Sequence, residues 1–203
     1  MTPDITLWFS KYSRAFVARW LLEELGIPYQ VETVDLRRDE QKSPAFLAIN
    51  PMGKIPALRD GETIVSENPA IALLLADRYG YGTLAPGIEE VARGAYLRWM
   101  VFATAVLEPA IYNNEPQDRA SASGRGWGRR EDVIRTLDET LAAGPWLLGD
   151  QFSAADIVLG GLLSVALFNK RIADPPASLV AYDARLAARP AYARAAEASF
   201  GTS

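Results

Sequence analysis

Near its N-terminus the chain reads FSKYSR, residues 9–14, which gathers three hydroxyls, Ser10, Tyr12 and Ser13, between a short apolar run and an amphipathic stretch. If the first is a strand and the second a helix, the hydroxyls stand where unpaired backbone N–H groups and the helix dipole favour an anion. The chain has no cysteine and no histidine. That excludes disulfides, thiol nucleophiles, histidine-based triads and proton shuttles, and zinc sites. Chemistry must then come from hydroxyls, lysine, arginine, carboxylates or a bound cofactor. A serine without a histidine is a poor base but a good donor, and one hydrogen bond to a charged partner contributes about 1.5–3 kcal/mol. At about 1.36 kcal/mol per pKa unit, such a bond lowers a thiol from about 8.5 to about 7. The loop therefore suits a thiolate supplied from outside. On spacing alone Ser10 and Ser13 serve equally well as helix caps, the ordinary use of serine there.

A second polar cluster, SEN at residues 66–68, stands at the mouth of an apolar helical stretch. Glu67 can hold an ammonium, while backbone amides with Ser66 or Asn68 can hold a carboxylate, so the pair fits an α-amino acid; a well-capped helix is the plainer account. Just upstream, NPMGKIPAL places Pro51 and Pro56 within six residues, near two charged side chains, Lys54 and Arg59, that otherwise read as solvated surface. A proline at a strand start removes a ladder donor, so Pro56 must begin an edge or make a special turn such as a cis peptide.

The elements around these clusters follow from period and punctuation. Residues 5–9 are a β-type run, and SRAFVARWLLEELG carries Phe16, Val17, Trp20, Leu21 and Leu25 on one helical stripe, with Ser13 as N-cap and Gly26 as stop. YQVETVDL alternates as a strand does, and IPALRDGETIV is two short runs joined at Asp60-Gly61, a hairpin signal. SENPAIALLLADRYG is a helix capped by Ser66 and ended by Gly80. The order β-α-β-α-β-β-α predicts a mixed four-stranded sheet within residues 1–80. YGTLAPG, 81–87, is the linker, and from 88 to 203 only helical spacing remains, at 88–112, 129–143, 154–171, 178–188 and 190–198. NNEPQDRASASGRGWG between the first two of these reads as a mobile loop. LLGDQFSAADIVL holds Ser153 and Asp156 at capping-box spacing ahead of an apolar run, a structural device.

Composition bounds the partners. With 21 basic and 25 acidic residues and no long run of one sign, the chain offers no nucleic-acid groove. No apolar run approaches the roughly 20 residues of a membrane span, and an acid stands where a signal peptide carries bases, so the sequence reads as soluble and cytoplasmic.

Four stretches in this order and spacing, SRAFVARWLLEELGIPYQ, NPMGKIPAL, SENPAI and LLGDQFSAADIVL, resemble the cytosolic glutathione transferases of the serine type, and the resemblance covers almost the whole chain. It implies an α/β, thioredoxin-like N-terminal domain (βαβαββα) followed by an all-α helical-bundle domain carrying the electrophile site. It implies glutathione as co-substrate, a small hydrophobic electrophile, a homodimer and a role in detoxification, with no metal. In that family the proline matching Pro56 is cis, and the residue before it, here Ile55, pairs its backbone with the cysteinyl part of glutathione. Glu67 and Asn68 match the holders of the γ-glutamyl end, although the family usually has Ser where Asn68 stands. Lys54 matches a position that approaches the glycyl carboxylate. Ser10 lines up with the thiolate-activating serine, with Tyr12 and Ser13 as alternatives in a loop that shifts between classes. The missing cysteine there argues against the classes that form mixed disulfides. Tyr96, Trp99, Phe102, Tyr112 and Trp127 are aromatic candidates for an electrophile wall or for plain core, Tyr112 and Trp127 being favoured because they flank the loop. Addition to an electrophile, ether cleavage and peroxide reduction use the same thiolate, and a glutathione-fold binding or assembly protein without turnover is the alternative from another class.

Overall fold

The computed structural model describes residues 4–113 and 123–201. Its sheet has the order β2-β1-β3-β4, built from β1 (Ile5–Phe9), β2 (Gln30–Thr33), β3 (Ala57–Asp60) and β4 (Thr63–Ser66). β1 runs parallel to β2 and antiparallel to β3, and β3 pairs antiparallel with β4. All five β1 residues are buried, as expected of an inner strand with a continuous apolar run. β2 is an exposed edge. The hairpin turns on Gly61, whose φ of 59° favours glycine, one position later than the Asp60-Gly61 joint. Asp60 instead ends β3 and accepts hydrogen bonds from Arg78 Nη1 at 2.6 Å and Tyr79 Oη at 2.7 Å. It thereby ties the hairpin to the last turn of α3 (Asn68–Tyr79).

α1 (Ala15–Leu25) buries Phe16, Val17, Trp20 and Leu21 of the expected stripe, leaves Leu25 half-buried, and stops at Gly26, φ 63°. Beyond β2, two short 3-10 turns lead into α2 (Pro44–Leu47), whose N-cap Ser43 accepts from Phe46 N–H. The later helices are α4 (Ala92–Phe102), α5 (Glu108–Tyr112), α6 (Arg130–Ala143), α7 (Ala154–Phe168), α8 (Ala177–Ala187) and α9 (Pro190–Phe200). The single helix predicted over 88–112 is interrupted by a π segment, Ala103–Leu107, where the Glu108 N–H reaches five residues back to Ala103 O. Pro109 supplies the reason: it has no N–H, and its ring would clash with the carbonyl four residues earlier. Among the described residues, no helix is long and apolar enough to cross a membrane. Most of the predicted loop, residues 114–122, lies outside the described residues.

α7 is buried almost all round and opens on a capping box. Asp156 accepts from Ser153 N–H at 2.9 Å, Ser153 Oγ at 3.1 Å, Leu147 N–H at 2.9 Å and Tyr182 Oη at 2.9 Å. Burial pushes the Asp156 carboxyl above its ordinary value, and these four donors pull against that rise. Farther along, a Cβ at Gly160 would lie 2.3 Å from Leu186 Cδ1, so this glycine sets how closely α7 and α8 approach.

By contact the chain divides into residues 1–80 with 188–203, and residues 81–187. The boundary read from the sequence is corrected here, because α9, grouped there with 88–203, packs on α1. The rings of Phe16 and Trp20 meet Tyr192 edge-on at 5.1 and 5.0 Å, Arg189 forks onto Glu24, and Arg194 binds Glu23 at 2.8 Å. Glu23 also accepts from Tyr29 Oη at 2.7 Å, and burial together with that carboxylate pushes the phenol up to about 12. In this junction Ser199 Oγ is buried without a partner among the described residues. Ser199→Ala is expected to stabilise the fold by about 1 kcal/mol, roughly 2–4 °C in Tm, since it removes an unpaired polar group and keeps the backbone. A lower Tm in thermal denaturation would show that the hydroxyl has a partner in solution.

Candidate active site

Strand register brings the predicted residues together. Trp8 pairs with Ala57 and Ala57 with Ser66, so Ser10, Ile55-Pro56 and Glu67-Asn68 all emerge at the same end of the sheet. The N-termini of α1 and α3 meet there too, joined by Asn68 Nδ2 donating to Arg14 O at 3.1 Å. Two converging helix N-termini favour anionic groups at that end.

The three hydroxyls of the first loop are in different states. Ser13 Oγ donates to Ser10 O at 2.6 Å and accepts from Ala15 N–H at 3.2 Å, so its proton is committed within the loop and it does part of the expected capping. Tyr12 stands at φ 56°, two-thirds exposed; its hydroxyl donates to Phe200 O at 3.3 Å and its N–H to Ser199 O at 3.2 Å. Among the described residues nothing engages the Ser10 hydroxyl.

The second loop is held by Asn50, 3% exposed, whose side chain accepts from Met52 N–H at 3.1 Å and donates to Lys54 O at 2.8 Å. The sequence reading passed over this residue; the signal was an asparagine opening a Pro-Gly turn. Gly53 is required there, at φ 59°, because a Cβ would lie 2.7 Å from Gln41 O. The Ile55-Pro56 bond is cis. Pro56 opens β3, which is an inner strand, so of the two roles open to it the special turn is the one adopted. The Ile55 side chain packs on the cluster of Trp8, Val34, Phe46 and Ala57. Its N–H and C=O have no partner among the described residues. Lys54 is exposed and its ammonium is likewise unpaired among them.

At the third cluster the expected cap is absent. Ser66 is the last residue of β4, and the N-cap position of α3 belongs to Glu67, which makes no side-chain cap hydrogen bond. The first helical N–H groups, those of Asn68 and Ala70, have no partner among the described residues, Pro69 between them having none to offer. Glu67 has φ 70° and ψ 120°, a sparsely populated conformation that costs a non-glycine residue about 1–3 kcal/mol. Asn68 Oδ1 is buried and without a donor. The helix mouth thus combines open amides with a carboxylate residue held in a strained conformation.

In the second unit Tyr96 and Trp99 are interior, at 0% and 2% exposure, so neither offers an open wall. Phe102 is half-buried against Trp99. Tyr112 ends α5 with the Arg171 guanidinium 5.5 Å above its ring, and Trp127 lies half-buried before α6 with its Nε1 unpartnered among the described residues. A cleft of about 490 Å³ lies elsewhere in this unit, lined by Leu167, Ile172, Pro175 and Val180, none of them singled out by the sequence.

The comparisons with known proteins agree with this architecture. The family described as "Glutathione S-transferase, N-terminal domain" matches residues 10–78, and "Glutathione S-transferase, C-terminal domain" matches 120–196. Glutathione S-transferase GstB of Escherichia coli is 32% identical over 201 residues, covering 92% of this chain and 95% of its own. Disulfide-bond oxidoreductase YfcG of the same organism is 32% identical over 166 residues, covering 75% and 76%. The crystal structure of a glutathione transferase from Methylococcus capsulatus superposes with a TM-score of 0.79 at 27% identity, covering 96% and 98%. The chain belongs to the glutathione S-transferase family of enzymes. The candidate residues for glutathione lie within the part matched by the N-terminal domain, between residues 10 and 68.

Proposed function

We propose that this chain binds glutathione at the end of the sheet and activates its thiol for attack on a small apolar electrophile. The observation that carries the reading is the backbone of Ile55, whose N–H and C=O have no partner among the described residues, at the same end of the sheet as an unengaged serine hydroxyl. An extended cysteinyl residue pairs with that N–H and C=O as a short added strand. The γ-glutamyl carboxylate then takes the open N–H groups of Asn68 and Ala70, while its ammonium meets the Glu67 carboxylate. This differs from the expected use of the Asn68 side-chain amide, which is partly occupied by Arg14 O. Lys54 lies on the loop that would approach the glycyl carboxylate.

Ser10 donates to the sulfur, favouring the thiolate; sulfur then forms a bond to the electrophilic carbon as the leaving group departs with its electron pair. Tyr112 and Trp127 belong to the electrophile side of this reading, and the protein works in the cytoplasm as a homodimer. Leu97 and Val101, exposed on one face of α4, supply apolar surface for the dimer. The similarity to a disulfide-bond oxidoreductase supports a second use of the same thiolate, reduction of a disulfide or peroxide.

Calorimetry with glutathione tests the site. Glu67→Gln discharges the ammonium's partner and is expected to weaken binding about 10- to 150-fold, the equivalent of 1.5–3 kcal/mol. Unchanged affinity in a folded variant removes Glu67 from the site, and no binding to the unmodified chain rejects the reading as a whole. Turnover of an activated aryl halide against that of a disulfide or peroxide then separates the two reactions, and binding with neither leaves a binding protein.

A further inference from the structure

The last carbonyls of a helix lack partners inside it. In α9 they are taken by the loop that carries the hydroxyls: Tyr12 N–H donates to Ser199 O at 3.2 Å, Tyr12 Oη to Phe200 O at 3.3 Å, and Lys11 Nζ to Gly201 O at 3.2 Å. The lysine cation thus stands at the negative end of the α9 dipole. The Phe200 ring lies 5.1 Å from Phe16 and 6.1 Å from Tyr12, so an apolar contact backs the polar ones. Tyr12 itself is in the left-handed region, which a bulky residue keeps only when its surroundings hold it there.

From the inside, the same four-residue bend is closed by Ser13 Oγ on Ser10 O. The bend is therefore pinned at both faces, and Ser10 lies next to the outer pins at Lys11 and Tyr12.

We infer that the C-terminal turn of α9 is a positioning element for the sulfur site, holding the bend at Lys11 and Tyr12 and through it the Ser10 hydroxyl. This inference rests on the proposed activation of glutathione by the loop. It gives Tyr12 a different part from the alternative activator considered in the sequence: its hydroxyl points at the helix. Phe200 is a positioning residue, and none of its atoms need touch the substrate.

The test measures the thiol pKa of bound glutathione, by thiolate ultraviolet absorbance and by the pH profile of kcat/KM, together with amide hydrogen exchange over residues 11–13. Phe200→Ala is expected to speed that exchange and raise the thiol pKa by about one unit, about tenfold in thiolate at neutral pH. Phe200→Leu, which keeps the apolar contact with Phe16, gives a smaller shift and guards against a variant that merely folds poorly. In a Ser10→Ala background, Phe200→Ala should add no further shift, since the two changes act on one interaction. An unchanged thiol pKa in folded Phe200→Ala overturns the inference, as does an equal shift with and without Ser10. A Ser10→Ala chain whose own thiol pKa is unchanged also overturns the inference, since α9 would then have no Ser10 hydroxyl to act through, while glutathione binding by that chain keeps the proposed site itself intact.

Discussion

Ser10→Ala is expected to lower kcat/KM for glutathione-dependent substitution about 10- to 150-fold at neutral pH while glutathione affinity stays nearly intact. The donor acts on the thiolate more than on the thiol, so its loss raises the barrier without loosening the tripeptide. A hydrogen bond to a charged group is worth about 1.5–3 kcal/mol, or one to two units of thiol pKa. The sign over pH follows: without the donor the thiol ionises at higher pH, so the deficit is fully present below the thiol pKa of the unmodified protein and closes as the pH rises through that of the variant and the thiol ionises unaided. Stopped-flow or steady-state pH profiles of both proteins check this. Full activity in Ser10→Ala, with loss in Tyr12→Phe or Ser13→Ala, assigns the role elsewhere in the loop; the committed proton of Ser13 and the α9-bound hydroxyl of Tyr12 both speak against that.

Asp156→Ala is expected to cost about 3–5 kcal/mol of stability, the range for breaking a buried charged network, and to lower Tm by roughly 6–20 °C. The carboxylate collects donors from the preceding turn, the helix cap and Tyr182 on α8. Truncation orphans all of them inside the core. Asp156→Asn keeps the volume and one acceptor but sets an NH2 against the donors of Ser153, so its loss should be intermediate. Equilibrium denaturation gives both values, and a loss under about 1 kcal/mol for the alanine variant would show the network to be dispensable.

Much of this architecture is legible in the chain because it is written in period and punctuation. The buried run of β1, the stripe of α1 with Gly26 behind it, and the Ser153/Asp156 box each state their structure locally. What the sequence hides is what depends on partners. The period of 190–198 announces a helix without saying that Tyr192 and Phe200 face α1. Ser66 has the chemistry of a cap, yet strand pairing with Ala57 holds it in β4 and passes the cap position to Glu67. The π segment needs one proline acting on the turn before it, a local cause that a periodic reading averages away. In the site, residue types were readable and their occupation was not: Asn68 spends an amide on Arg14, and Asn50 was invisible as the clip that shapes the Ile55 loop.

The discontinuous first unit also sets an order of events during synthesis. Residues 1–80 leave the ribosome long before α9 exists, since the whole of 81–187 is made before the unit resumes at position 188. At about 5–20 residues per second, that is a delay of roughly 5–20 s during which the α1 face around Phe16 and Trp20 lacks its cover. The nascent sheet must wait with aromatic surface open to solvent, chaperones or other chains, and the loop bearing Ser10 acquires its outer support only when Pro190–Phe200 has been made.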